Sequence, residues 1–231
     1  MRRLLHRRGG EIELAVRDFR LRAGHTRVLG GLAAAGRELL VSLLTGMLLP
    51  DEGEIDIFGT STRAVVDHET WLAFVDQFGV VSERAVLLDG ASVGDNLGLP
   101  FALSPTPGAG LPDPSPEVRR LSELVELSET DLAATMAAAP PLTCAKVRLA
   151  RALAFDPRIL LLEDPTAPLA PDDSVRLATI VARIAPPRAV LALSEDRVFA
   201  ERLGVSVERF DPQSGVLDGW WARVRRFFRS W

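Results

Sequence analysis

One cysteine, one lysine and no tyrosine set this 231-residue chain apart by what it leaves out. A single thiol, Cys144, excludes an intramolecular disulfide. The first residues hold no continuous apolar stretch of the kind that directs secretion, so a cytoplasmic location is expected. Long hydrophobic runs are missing too: residues 39–49 are interrupted by Ser42, Thr45 and Gly46 and fall short of the roughly 20 residues that cross a bilayer. Positive charge is not in excess. The formal net charge is −4, which gives no global basic surface for a nucleic-acid partner.

What remains is the composition of a folded α/β domain, 47% hydrophobic and 25% charged. The basic residues crowd at both ends. Arg2, Arg3, Arg7 and Arg8 open the chain, and residues 1–10 are expected to form a basic extension. Arg223, Arg225, Arg226 and Arg229 close it, interleaved with Trp220, Trp221, Val224, Phe227, Phe228 and Trp231 at helical spacing. An amphipathic basic helix is therefore expected over 218–231, suited to an anionic membrane surface or a partner beside it.

Between these ends, strand and helix patterns alternate. Ile12, Leu14 and Val16 recur with period two, as strands require. A short strand over 26–29 enters Gly30-Gly31 and a helix expected over 36–48; residues 50–53 turn the chain into a strand over 54–58. Five prolines and two glycines among residues 104–116 read as an exposed loop. Helices are expected over 118–127, 131–139, 146–155 and 175–184. The run Arg158-Ile-Leu-Leu-Leu162 fits a central strand buried on both faces, followed by a strand over 189–193. The alternation predicts an α/β fold with a mixed or parallel sheet.

Four blocks then resemble one family. From Gly24, GHTRVLGGLAAAGRELL aligns without a gap to the pattern GETVALVGPSGSGKSTL of ABC ATPases. Leu43-Leu-Thr-Gly46 with PDEGEIDIFG over 50–59 follows, then ARALAFDP over 150–157, then ILLLEDPT over 159–166, similar to the family's ILLLDEPT. The resemblance covers about residues 12–210. It implies a P-loop cassette over 11–217 with a small helical subdomain over about 84–148, and it implies ATP, Mg²⁺, a transmembrane permease and a second cassette as associates.

Each motif departs from that pattern. An intact loop cradles phosphates with backbone amides, reaches them with lysine and holds Mg²⁺ through a hydroxyl. Here Gly31 and Gly36 remain, Ala34 replaces the middle glycine, Arg37 stands at the lysine position, Glu38 at the hydroxyl, and Leu39 follows. The only lysine, Lys146, is far along the sequence. By the resemblance, Glu163 falls on the magnesium ligand, Asp164 on the catalytic base, Glu83 on the γ-phosphate-sensing glutamine and Glu195 on the switch histidine. APPLT over 139–143 replaces the glycine-rich signature LSGGQ. These substitutions imply a poor or inactive ATPase with no resident cofactor, or ATP and Mg²⁺ if activity survives. Arg37 is expected to pair with Glu163 or Glu38 in the vacated site. The run from Glu83 to Pro100 also resembles the QxxALxxxxxVxDNVAxP block of cassettes that move phospholipids, which lipoprotein exporters share.

Overall fold

The computed structural model describes residues 1–102, 115–211 and 216–217. Most of the proline-rich run and all of the aromatic tail lie outside them, so the helix expected over 218–231 is not described.

The chain begins in an antiparallel sheet. Strand β1 (Arg2–Arg8) turns at Gly9 and Gly10, both with positive φ, and pairs with β2 (Glu11–Asp18). Its other edge pairs with β4 (Glu52–Glu54). The expected N-terminal extension is thus corrected to an integral strand. Leu4 is buried, and the basic C-terminal end of β1 meets acids on both neighbours, Arg7 with Glu52 at 3.6 Å and Arg8 with Glu13 at 3.0 Å. Two leucines between arginine pairs show no alternation, so this strand depends on cross-strand partners that sequence order hides. The strand expected over 54–58 is split: fully buried Ile55 separates β4 from β5 (Asp56–Ile57), which forms a hairpin with β6 (Thr60–Ser61).

The main sheet has the order β11-β10-β3-β9-β8-β7. Strands β3 (Thr26–Gly30), β7 (Phe78–Val81), β8 (Ile159–Glu163), β9 (Ala189–Leu193) and β10 (Val207–Asp211) run parallel, and β11 (Val216–Leu217) is antiparallel at the edge. Alternate residues of the central strands feed two cores, as the twofold period of a strand demands. Ile159, Leu161, Leu191 and Leu193 meet Leu39, Leu40 and Leu43 of α1 (Ala34–Leu44). Leu160, Leu162, Val190 and Ala192 join a second core on the other face. Each fully buried leucine there contributes roughly 1.5–3 kcal/mol.

Helix α1 starts two residues before the expected position and stops four before its expected end, because Gly46 adopts φ +71 and its amide closes onto Leu43 O. Helix α2 (His68–Val75) leads to β7. Between β7 and β8 lie α3 (Val93–Ala102), α4 (Ser115–Leu124), α5 (Glu129–Ala133) and α6 (Pro141–Ala152). Helix α6 begins five residues before its expected start, since proline in the first turn is preorganised for a helix. It runs through the subdomain boundary expected near 148. Helices α7 (Pro171–Ile184) and α8 (Arg197–Arg202) complete the second core with Leu177, Ile180 and Phe199.

Candidate functional site

Three neighbouring parallel strands end side by side. Leu29 pairs with Leu193, and Leu193 with Glu163, so Gly30-Gly31, Glu163-Asp164 and Ser194-Glu195 leave the sheet together. This is the edge at which open α/β sheets place ligands.

Strand β3 reaches α1 through residues 31–33. Gly31 has φ +92, and a Cβ there would collide with the Phe210 carbonyl; only glycine fits. Ala33 enters the helix in extended conformation without a side-chain cap, and the Arg37 amide is the first to close, onto Ala33 O at 3.0 Å. The amides of residues 34–36 therefore have no acceptor within the helix. Ala34 is already helical and has no positive φ, so alanine at the middle-glycine position carries no left-handed strain.

Arg37 does not pair with Glu163 or Glu38, as expected from sequence. Its Nη2 lies 3.0 Å from Asp164 Oδ2, and its Nη1 donates to Leu32 O at 2.9 Å. The two expected partners belong instead to Arg84, which pairs with Glu38 through Nη1 and donates from Nη2 to Glu163 Oε2 at 2.6 Å. The Glu163 side chain is only 11% exposed. The reason is the turn after β8: Asp164 takes φ +46 while its amide donates to Leu193 O at 3.0 Å. Successive carboxylates diverge there, one toward Arg84 beyond β7 and the other toward α1. Aspartate tolerates this left-handed conformation better than most residues.

Glu195 closes the arrangement. Its carboxylate accepts the Gly31 amide, and a Cβ on Gly30 would come within 2.8 Å of Glu195 Oε2. The glycine turn is thus covered by an internal anion. Beside it, Asp196 caps α8 through the Phe199 amide at 2.9 Å and accepts from Ser174 Oγ at 2.6 Å. Burial pushes the Asp196 carboxyl up, but these bonds outweigh it and hold the group below its ordinary 3.8.

Two expected positions fall outside the site. Leu39 is buried in the hydrophobic core, because one residue along α1 turns the side chain from the Glu38 face to the interior. Glu83 is exposed, and its neighbour Arg84 enters instead. Arg84 was the residue sequence reasoning missed. The available signal was a surplus of acids: Glu38, Glu163, Asp164 and Glu195 needed more positive charge than Arg37 carries. Among the described residues, no three His, Cys, Asp or Glu side chains are grouped to hold a metal ion.

A parallel sheet with a strand–glycine turn–helix entry and acidic residues at the end of an apolar central strand is the architecture of a nucleotide-binding cassette. Residues 14–167 match the family model described as ABC transporter, and the chain belongs to that family. It is 31% identical to the ribose import ATP-binding protein RbsA of Jannaschia sp. (strain CCS1), over 81% of this chain and 37% of that protein. It is 28% identical to the methionine import ATP-binding protein MetN 2 of Burkholderia mallei, over 74% and 42%. The chain therefore spans less than half the length of these two relatives. Solved structures share the fold: the dimeric ATP-binding cassette MJ0796 bound to ADP and Pi, with TM-score 0.74 and 17% identity over 94% of both chains, and cbiO1 from Clostridium perfringens, part of the ABC transporter complex cbiONQ, with TM-score 0.75 and 15% identity over 94% of this chain and 84% of that one.

Proposed function

We propose that this chain is a cassette-type subunit of a membrane transport complex that acts through protein contacts, its nucleotide site being filled by its own side chains. The observation that carries this reading is the Arg84 guanidinium between Glu38 and Glu163, with Glu195 on the Gly31 amide. Four carboxylates face two guanidiniums, so a triphosphate would enter a site already short of positive charge. Two like unit charges about 4 Å apart repel by about 4 kcal/mol at an effective dielectric of about 20, against about 8 kcal/mol for a whole micromolar affinity. These residues do not fit Mg-ATP. Arg37, committed to Asp164, is no substitute for a phosphate-reaching lysine. At the signature position, Pro140 and Pro141 start α6 without amide donors.

The partners this reading implies are a transmembrane permease and a second cassette, at the inner face of a membrane. No described helix is long and apolar enough to cross one. The 83–100 block supports a lipid-handling permease. The relatives above are named for ribose and methionine import.

Calorimetric titration with Mg-ATP tests the proposal. The native chain is expected to give no saturable heat, and the double variant Arg37→Lys, Glu38→Ser a measurable gain. Saturable micromolar binding with phosphate release by the native chain would establish the competing reading, a slow ATPase that uses the retained Glu163 and Asp164 charges.

A further inference from the structure

The chain leaves the sheet at Val81 and enters the helical layer at Val93, so residues 82–92 form the outward crossing between the two. This crossing is braced along its length. At the sheet end, Arg84 grips Glu38 on α1 and Glu163 on β8. The hydroxyl of Ser82 steadies it, accepting from the Arg84 amide at 3.2 Å and from its Nε at 3.3 Å. Two residues on, Arg151 of α6 donates to Val86 O at 2.7 Å. Asn96 of α3, fully buried, accepts from the Leu88 amide at 2.8 Å and donates to Leu88 O at 3.1 Å. The amides of Ala137 and Met136 then close onto Asp89 O and Ala91 O at 3.1 and 2.9 Å. A continuous set of bonds therefore runs from the site to α3 and α6.

We propose that Arg84 is a built-in latch that holds the helical layer against the sheet without any ligand. The proposal rests on the reading that the site takes no nucleotide. One planar guanidinium meets carboxylates from two separate elements, a geometry that an arginine fork satisfies and a flexible ammonium does not. The Glu163 side chain is nearly buried, so removing Arg84 would take from Glu163 and Glu38 the one guanidinium that both contact. Release of the guanidinium frees the crossing at its sheet end, while the bonds of Val86, Leu88, Asp89 and Ala91 keep its other end on the helices. The expected consequence is local loosening of 82–102 and not general unfolding.

Hydrogen–deuterium exchange on the full chain tests this, with α7 as the internal reference. Arg84→Ala is expected to speed exchange across 82–102 by about three- to tenfold and to leave α7 unchanged. Glu38→Gln, which keeps the side-chain shape and removes its charge, is expected to give a smaller rise in the same segment, and it carries the test if Arg84→Ala does not fold. Unchanged exchange at 82–102 in the variant that folds, or a rise of equal size in α7, overturns the latch. A parallel set with Mg-ATP separates the two ideas. Protection gained by the native chain on adding nucleotide refutes the filled-site reading and the latch with it, whereas no response to nucleotide together with no response to Arg84→Ala refutes the latch alone.

Discussion

At the residue scale, Arg37 lies with 18% of its side chain exposed between Asp164 and the carbonyl of Leu32. Arg37→Ala is expected to lower unfolding free energy by about 1–3 kcal/mol, because it strands a carboxylate and a carbonyl in a poorly solvated site. A denaturation midpoint unchanged from the native chain would show that the pair contributes nothing. Asp164 separates backbone from charge: its φ of +46 suits glycine and strains alanine. Asp164→Gly and Asp164→Ala lose the same carboxylate, yet the alanine variant should be less stable by about 1 kcal/mol. Equal stabilities in urea unfolding would place the turn in another conformation. The need of Arg37 for an acidic partner was legible in the sequence. Its identity was not, since the divergence of Glu163 and Asp164 arises from a left-handed turn held by a neighbouring strand.

At the scale of elements, short helices depend on their caps. Ser128 and Asp131 form a reciprocal box at the head of α5, and Ser92 and Asp95 exchange the same bonds at α3. Hydrogen bonds from Ser128 and Ser92 hold the carboxyls of Asp131 and Asp95 below their ordinary 3.8. A depressed folded value stabilises above the ordinary value and is lost as pH falls through the folded one. Thermal stability is therefore expected to decline as pH drops below about 4. Ser128→Ala should cost about 0.5–2 kcal/mol at neutral pH and flatten part of that acid decline. Melting curves that fall with acid identically in both proteins would assign the decline to other groups. Strands with continuous apolar runs were readable from order alone: β9 spans the same five residues expected, and β8 lies one residue further on. Helix starts were less so: α6 begins at Pro141, ahead of the start expected at 146, because proline suits the first turn of a helix.

At the scale of the molecule, the paired arginines of β1 and the arginines of the tail differ in their expected use. Arg7 and Arg8 spend their charge on Glu52 and Glu13 within the antiparallel sheet. The tail arginines, with five aromatic residues among residues 218–231, remain the chain's strongest sequence signal for an anionic surface, each basic group near such a surface being worth about 1 kcal/mol. Truncation after Leu217 is expected to abolish flotation with anionic vesicles while leaving the melting temperature within a few degrees of the native value. Flotation retained by the truncated chain would move the contact elsewhere.

The order of strands and helices, the glycine turn and the loss of lysine from it were determined by the sequence itself, because backbone period and residue chemistry are local properties. Which carboxylate each arginine holds, that Arg84 enters the site in place of Glu83, and that the first ten residues form a strand were decided only by the tertiary structure. Those outcomes depend on groups brought together from segments as far apart in sequence as those of Arg37 and Asp164, and charge pairing acts across space, not along the chain.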